Sequence, residues 1–357
     1  MSLLVMTTRG VLRAVSALAL GAVAGFVCAQ LHTPIPWMLG PLFTLAILRI
    51  SGVDLGVPTS MRYVGQWIIG TSLGLYFTPH VVREVAGLWL VLAAGAVFSV
   101  VVGYLSALVL ARMARLDRTT ALFASVPGGA AEMAVLGERF GARVDRVAAA
   151  QSLRILIVVA IIPAAYAMLG LHGADPFVQG AKTFDPAGFA GLMAATLVGG
   201  LVFQHVRLAN AFVLGSLAVA IPLTAAQVDL SAMPQVASNA GQCLLGCALG
   251  SRFQQDFLHG AHRFVGAVVV SVLAAILLSA VFGIGLAYAA GLHPATLVLG
   301  TAPGGIAEMC ITAKVLQLGV PLVTAFHVAR VVVILLTTVP LFARLEHWWR
   351  NLDGGDP

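Results

Sequence analysis

The stretch PGGAAEM at residues 127–133 decides the fold, because it returns as PGGIAEM at residues 303–309. The two copies are identical at six of seven positions and lie 176 residues apart. Arg154 and Arg330, which follow the two copies, keep the same separation. A separation maintained in this way indicates duplication of a whole structural unit.

A second doubled motif lies earlier in each half of the chain. GQWIIGTSLGLYF at residues 65–77 aligns with GQCLLGCALGSRF at residues 241–253, with six of thirteen positions identical and the same offset of 176. The register therefore holds over about ninety residues. It predicts one transmembrane domain built from repeat A, residues 1–175, and repeat B, residues 176–357.

The composition places both repeats in a lipid environment. The chain has 357 residues, of which 60% are hydrophobic and 10% charged, whereas a soluble domain carries roughly 25% charged residues. The apolar stretches have helical length and lack the alternation of a membrane β-barrel. We therefore expect an all-α polytopic membrane protein. The net charge of +6 is spread over short loops, so it is read as an orientation signal and not as a nucleic-acid site.

Pro127, Gly128 and Gly129 interrupt an apolar segment at its centre, where a helix cannot continue comfortably. Arginines flank this segment on both sides. If the two Pro-Gly-Gly segments enter the membrane and return, 15 of the 20 basic residues lie on one side, three on the other and two in the membrane. If the segments cross, the split is 10 to 8. The positive-inside rule favours two re-entrant hairpins and a cytoplasmic N-terminus in a bacterial inner membrane.

This choice sets the relation of the two halves. Each half then has about five transmembrane helices and one re-entrant hairpin, about 10 spans in total. Because five is odd, repeat B enters from the opposite side, and the repeats are predicted to be inverted. The two Pro-Gly-Gly tips would meet near the midplane, where non-helical backbone is tolerated only if it is buried or lines a wet cavity.

The tips carry the first candidate site residues. Their free N–H groups could hold an anionic substrate group, which nominates Pro127, Gly128 and Gly129 with Pro303, Gly304 and Gly305. Glu132 and Glu308 fall in the first turn of each returning half-helix. They are read either as caps favoured by the helix dipole or as residues that bind a coupling proton or cation, because ionisable groups deep in a membrane commonly mark a pathway.

Arg154 and Arg330 lie inside long apolar helices and also have two interpretations. One is an ion pair with glutamate that fixes each hairpin to its helix. The other is a clamp for a carboxylate substrate, since a guanidinium binds carboxylate at two points. His327, three residues before Arg330, could handle a proton or simply be hydrogen-bonded inside the protein.

Gln66 and Gln242 occupy the second doubled motif. They could line the same cavity as the tips, although rows of glycine such as those around them are more often helix-packing faces. The cysteines lie in apolar segments and His residues are scattered, so neither a metal site nor a cofactor is predicted.

PIPWMLGPL at residues 34–42, the doubled GQxxxGxxLGxxF and the doubled PGGxAEM followed by a membrane arginine resemble the membrane AbrB family, also called the AbrB duplication family. The resemblance covers about residues 15–345 and implies the membrane fold. Members carry names such as ammonia monooxygenase or AbrB family transcriptional regulator. The chain is not similar to the small soluble AbrB-type DNA-binding proteins.

Three functions follow as hypotheses. The first is a secondary transporter of a small organic anion coupled to protons or sodium by alternating access, because inverted repeats with broken helices are a recurrent transporter plan. The second is a membrane protein that regulates gene expression indirectly. The third is a membrane monooxygenase, which scattered histidines do not support. We expect a transporter and not an enzyme, with the lipid bilayer and a small-molecule substrate as partners, no nucleic acid, and an architecture compatible with a homodimer.

Overall fold

The computed structural model describes residues 8–173, 183–253 and 262–352. These residues form 15 helices and no strand. The helices of the first half are α1 Thr8–Gln30, α2 Pro36–Ile50, α3 Thr59–Gly74, α4 Pro79–Gly87, α5 Trp89–Ala114, α6 Arg118–Ser125, α7 Ala130–Arg139 and α8 Val144–Met168. Those of the second half are α9 Pro186–His205, α10 Ala211–Ala225, α11 Gln235–Gly250, α12 His262–Ala290, α13 Pro294–Thr301, α14 Ile306–Leu316 and α15 Val320–Leu352.

Six of the described helices contain a stretch long and apolar enough to cross a membrane. These stretches lie in α1, α5, α8, α9, α12 and α15, and the shorter apolar helices α2 and α10 accompany them. Many large apolar side chains point outward, among them Leu12 on α1 and Val281 on α12, which are 67% and 72% exposed. An apolar surface of this extent is unfavourable in water and favourable in lipid. The predicted all-helical membrane class is thus confirmed in this general form.

The helices pack into two groups. The first group, called here the six-helix body, contains α1, α2, α3, α9, α10 and α11. The second, called the hairpin body, contains α5 to α8 and α12 to α15. The principal helix contacts between the two bodies are those of α3 with α14 and α15. Each body is therefore more extensively packed internally than against the other.

Helices α3 and α11 cross at the centre of the six-helix body and run antiparallel. A Cβ atom added at Gly65 would lie 2.9 Å from the carbonyl oxygen of Gly241, so only glycine permits this approach. Toward the other end of α3, Ser72 lies close to Ser238 near the start of α11, because both face the same lysine. The doubled Gly-rich motif is therefore a close-packing face where the two helices meet.

Each Pro-Gly-Gly sequence separates two short helices that fold back on each other. The Arg143 backbone N–H, just after α7, donates to Thr120 Oγ1 in the first turn of α6 at 2.9 Å. Phe123 and Phe140 stack with ring centroids 5.8 Å apart. Helices α6 and α7 therefore form a first hairpin, residues 118–139, and α13 and α14 form a second hairpin, residues 294–316. With 8 to 11 residues each, none of these helices reaches the roughly 20 residues that a span needs.

Candidate binding chamber

The tips of the two hairpins face one cavity between the two bodies. Pro127, Gly128 and Gly129 line it from one hairpin, and Gly304 and Gly305 line it from the other. The cavity has a volume of about 50 Å³, which is room for a few water molecules. We call it the chamber. Residues from α3, α8, α10, α11 and α15 complete its wall. The structure thus brings together the two sequences that the repeat analysis singled out.

Pro303 is the one tip residue that lies slightly apart. It lines a smaller cavity beside the chamber, which it shares with Pro127 and Arg154. Among the predicted site residues, Gln66 lines the chamber. Gln242 is buried at the α3–α11 crossing and is not among the residues of the chamber wall. The packing interpretation therefore suits Gln242 better than Gln66.

Arg154 and Arg330 bind the tips through backbone carbonyls. Arg154 donates through its two terminal nitrogens to Val126 O and Gly128 O, both at 3.2 Å. Arg330 does the same with Ala302 O at 2.7 Å and with Gly304 O. These carbonyls have left the helical ladder and need other donors. Val126 O also accepts from the Gly128 N–H at 2.7 Å. Each arginine therefore holds a non-helical tip in place.

This arrangement differs from the ion pair with glutamate, which was one of the two interpretations made from the sequence. Among the described residues, neither Arg154 nor Arg330 forms an ion pair with Glu132 or Glu308. Their terminal nitrogens are engaged with carbonyls, and each Nε atom is buried without a hydrogen-bond partner. Sequence alone could not reveal this, because the acceptors are backbone atoms and have no residue-type signature.

Gln151 and His327 support the same tips one turn earlier. Gln151 Nε2 donates to Phe123 O at 2.8 Å and to Val126 O at 2.9 Å. His327 Nε2 lies 3.2 Å from Leu299 O, and the imidazole is fully buried. His327 does not line the chamber. Its surroundings match a hydrogen-bonded support of α13, and its Nδ1 atom has no partner.

Glu132 and Glu308 curl back over the glycine that precedes their helix. In each case a Cβ atom on that glycine, Gly129 or Gly305, would collide with the carboxylate. The two glutamates differ in exposure. Glu308 is buried, with 8% of its surface exposed, and lines the chamber, whereas Glu132 is partly exposed. The Glu132 carboxylate accepts from the Asn210 N–H at 3.4 Å through Oε1, while Oε2 is unpaired.

Glu132 faces an open pocket next to the chamber, called here the vestibule. The vestibule has a volume of about 200 Å³ and is also lined by Arg62, Gln204 and Arg207. Arg62, Gln66 and Asn210 line both the vestibule and the chamber. The chamber and the vestibule therefore adjoin at these three residues, with Glu308 in the wall of the chamber and Glu132 in the wall of the vestibule.

The structure adds three residues that the sequence analysis did not nominate: Arg62, Arg252 and Asn210. Asn210 ends the turn before α10 in the left-handed conformation, with φ 51°, and its Oδ1 accepts from Gln66 Nε2 at 3.4 Å. Arg62 is one of the 15 basic residues counted on the cytoplasmic side, and it lies on α3 four residues before Gln66, hence on the same helix face. Arg252 is the penultimate residue of the second copy of the doubled motif.

The chain is similar to known proteins along nearly its whole length. The family described as transition state regulatory protein AbrB matches residues 6–346. A Bacillus subtilis (strain 168) protein named "Uncharacterized protein YhjN" is 27% identical, and the match covers 92% of each chain. An Escherichia coli (strain K12) protein named "Putative regulator AbrB" is 28% identical over 88% of this chain and 90% of that protein.

Proposed function

The chain belongs to the family described as transition state regulatory protein AbrB, and from that premise and the geometry of the chamber we propose that it is a secondary transporter and not an enzyme. Its substrate is a small organic anion, and transport is coupled to protons or sodium by alternating access. One observation carries this proposal: two broken helices from equivalent parts of the chain meet at one polar chamber inside an apolar helical protein. Paired discontinuous helices around a central site are a recurrent transporter plan.

The direction of α3 and α11 supports the inverted repeat. These helices carry the same motif and cross antiparallel at Gly65 and Gly241. Equivalent helices stay parallel when a two-fold axis lies along the membrane normal, and they become antiparallel when the axis lies in the membrane plane. The second relation is the one proposed here. Five equivalent pairs, α1 with α9, α2 with α10, α3 with α11, α5 with α12 and α8 with α15, then supply the 10 spans.

The hairpin geometry supports re-entrant segments. Thr120 at the start of α6 and Arg143 after α7 are joined by a hydrogen bond, so the segment ends beside the point where it began. In the second hairpin, Gly319 after α14 lies against Thr296 at the start of α13. Both flanks of each hairpin then lie on one membrane face, as the positive-inside rule requires of the arginines around the first hairpin.

The division into two bodies supports alternating access. The chamber wall takes residues from the six-helix body, such as Gln66, and from the hairpin body, such as Arg330. A site at the junction of two sparsely connected bodies can open to either side when one body moves against the other. With the N-terminus in the cytoplasm of a bacterial cell, the vestibule containing Arg62 and Arg207 faces the cytoplasm.

The transport proposal is tested with purified protein in liposomes. Under an imposed proton or sodium gradient, labelled small carboxylates are expected to accumulate, and Glu308→Gln is expected to abolish the response to the gradient. Glu84→Gln is the matched control, because Glu84 is exposed on α4 and lines neither the chamber nor the vestibule. Absence of flux for a broad panel of carboxylates in protein that remains folded would overturn the proposal.

A second candidate is an indirect regulator of gene expression, favoured by the printed name of the Escherichia coli relative, "Putative regulator AbrB". The described residues form one helical membrane assembly with short connections, so such an effect would act through a transported signal or a partner. Expression changes caused by deleting the gene and reversed equally well by wild-type protein and a transport-dead variant would favour regulation over transport.

A further inference from the structure

The chamber carries an excess of positive charge. Four arginines line it, namely Arg62, Arg154, Arg252 and Arg330, against the single carboxylate of Glu308. The carbonyl partners of Arg154 and Arg330 are dipoles and do not cancel a full charge. Uncompensated charge inside a protein is costly, and it is normally paired. Glu132, in the adjoining vestibule, offsets only part of it. The chamber is therefore electrostatically incomplete without an anion.

Two of the four guanidinium groups are available to such an anion. Among the described residues, neither Arg62 nor Arg252 forms an ion pair, and Arg62 Nε is buried without a hydrogen-bond partner. The guanidinium carbon of Arg62 lies 5.4 Å from the centroid of the Tyr63 ring. Arg252 lies within electrostatic reach of Arg62, Glu132 and Glu308. The two arginines thus lie near each other in the wall of the chamber.

The repeat separates these two arginines from the structural ones. Arg154 and Arg330 are equivalent residues and bind equivalent carbonyls, so the hairpin fold accounts for both. The residues equivalent to Arg62 and Arg252, at the offset of 176, are Ser238 and Tyr76. The fold of the repeat therefore does not require a cation at either place. The presence of Arg62 and Arg252 in the chamber wall therefore needs another explanation, and ligand binding supplies it.

We propose that Arg62 and Arg252 form the binding site for a small dicarboxylate, with one carboxylate on each guanidinium. A planar guanidinium binds a carboxylate at two points, and two arginines from separate segments, one on α3 and one just after α11, fit two separate carboxylates better than one compact anion. Together the chamber and the vestibule, about 50 and 200 Å³, leave room for a chain of a few carbon atoms. This inference rests on the proposed transport function and names its substrate class and its residues.

The test is direct binding to the purified full-length protein in nanodiscs, measured by calorimetry. Succinate is the dicarboxylate probe, propionate the monocarboxylate and inorganic phosphate the compact anion. Succinate is expected to bind the wild type more tightly than propionate or phosphate. Arg62→Gln and Arg252→Gln are each expected to weaken succinate binding at least tenfold, while leaving the weak binding of propionate within about threefold, since a charge-assisted two-point contact is lost.

Arg112→Gln is the matched control, because Arg112 is exposed near the end of α5, away from the chamber. Arg62→Lys and Arg252→Lys keep the charge and lose the planar fork, so they are expected to give intermediate affinity, and they replace the glutamine variants should those fail to fold. Equal succinate affinity in wild type and in the arginine variants would overturn the site. Phosphate binding tighter than succinate binding would overturn the dicarboxylate class.

Flux measurements separate this inference from the transport proposal. Succinate binding that depends on Arg62 and Arg252 without any flux in liposomes would retain the site and reject transport. Flux of another solute that is unaffected by Arg62→Gln and Arg252→Gln would retain transport and reject the site. Each result therefore bears on one claim independently of the other.

Discussion

The two hairpins are nearly identical in sequence and differ in their surroundings. Both tips are held by an arginine that donates to two carbonyls. Glu132 at the first hairpin is partly exposed to the vestibule, whereas Glu308 at the second is buried. Beyond Glu308, Lys314 Nζ donates to Ser72 Oγ at 3.3 Å and to Ser238 Oγ at 3.4 Å. At the equivalent place in the first hairpin, Glu138 is exposed.

This comparison separates two kinds of residue. Those repeated at the offset of 176, such as Arg154 and Arg330, build the hairpins. Those that are not repeated, such as Lys314 and Arg62, make the surroundings of the two hairpins differ. The surroundings of the two hairpins are therefore asymmetric although their sequences are repeated, and the following predictions test that distinction in order of decreasing effect.

The largest effect is expected from removing a tip arginine. Arg330→Ala would leave the carbonyls of Ala302 and Gly304 buried without donors, at a cost of about 3 kcal/mol or more. Arg154→Ala is expected to cost less, because its two hydrogen bonds are longer, at 3.2 Å. Thermal unfolding in detergent measures both. Equal stability of Arg330→Ala and wild type would contradict the claim that Arg330 holds the tip of the second hairpin in place.

The second effect concerns the two glutamates. Glu308→Gln is expected to reduce gradient-driven uptake more than Glu132→Gln, because Glu308 lies in the chamber wall and Glu132 in the vestibule. A coupling interaction is worth a factor of roughly 5 to 150, which sets the expected loss for Glu308→Gln. Uptake at several imposed gradients is the measurement, with Glu84→Gln as the control. A larger loss for Glu132→Gln would reverse the assignment.

The third effect concerns Lys314, which joins the hairpin body to the six-helix body. Lys314→Met removes its hydrogen bonds to Ser72 and Ser238, each worth about 1 kcal/mol. The hairpin body and the six-helix body are therefore expected to separate more often at this contact. A cysteine placed at Ser238 should react several-fold faster with a water-soluble maleimide in the Lys314→Met background. An unchanged reaction rate would mean that the Lys314 contact does not hold the two bodies together near Ser238.

A cross-linking experiment sharpens the same comparison. If the two halves exchange conformations, Glu138 would approach Arg62 as Lys314 now approaches Ser238, since both pairs are related by the offset of 176. A disulfide between Arg62→Cys and Glu138→Cys is expected to form in part of the population and to trap the opposite-facing state. No cross-link under any gradient, with both cysteines reactive, would contradict an exchange of roles.

The smallest effect is expected from His327→Gln, which copies the equivalent residue Gln151. A glutamine amide can donate to Leu299 O in place of the imidazole, so uptake should stay within about twofold and stability should change by less than about 1 kcal/mol. Uptake rates and unfolding temperatures measure these. A complete loss of uptake in folded protein would instead assign a proton-handling role to His327.

Sequence patterns anticipated a large part of the site but not its contacts. The meeting of the two tips follows from the doubled motif and from hairpins too short to span, and the structure brings Gly128 and Gly304 to one chamber. The acceptors of Arg154 and Arg330 were missed because they are backbone carbonyls. Arg252 was missed because its charge resembled that of the loop residues used to assign orientation.

By itself, the sequence determined the helical membrane class, the duplication and the positions of the two broken helices. Apolar length, a constant offset and Pro-Gly-Gly breaks are all properties of neighbouring residues along the chain. Only the tertiary structure decided that Arg62 and Arg252 share the chamber, that Gln242 belongs to a helix crossing and that Glu308 is the buried glutamate. Those facts depend on how helices cross and which carbonyls are left unpaired, and long-range packing, unlike periodicity, leaves no local pattern to read.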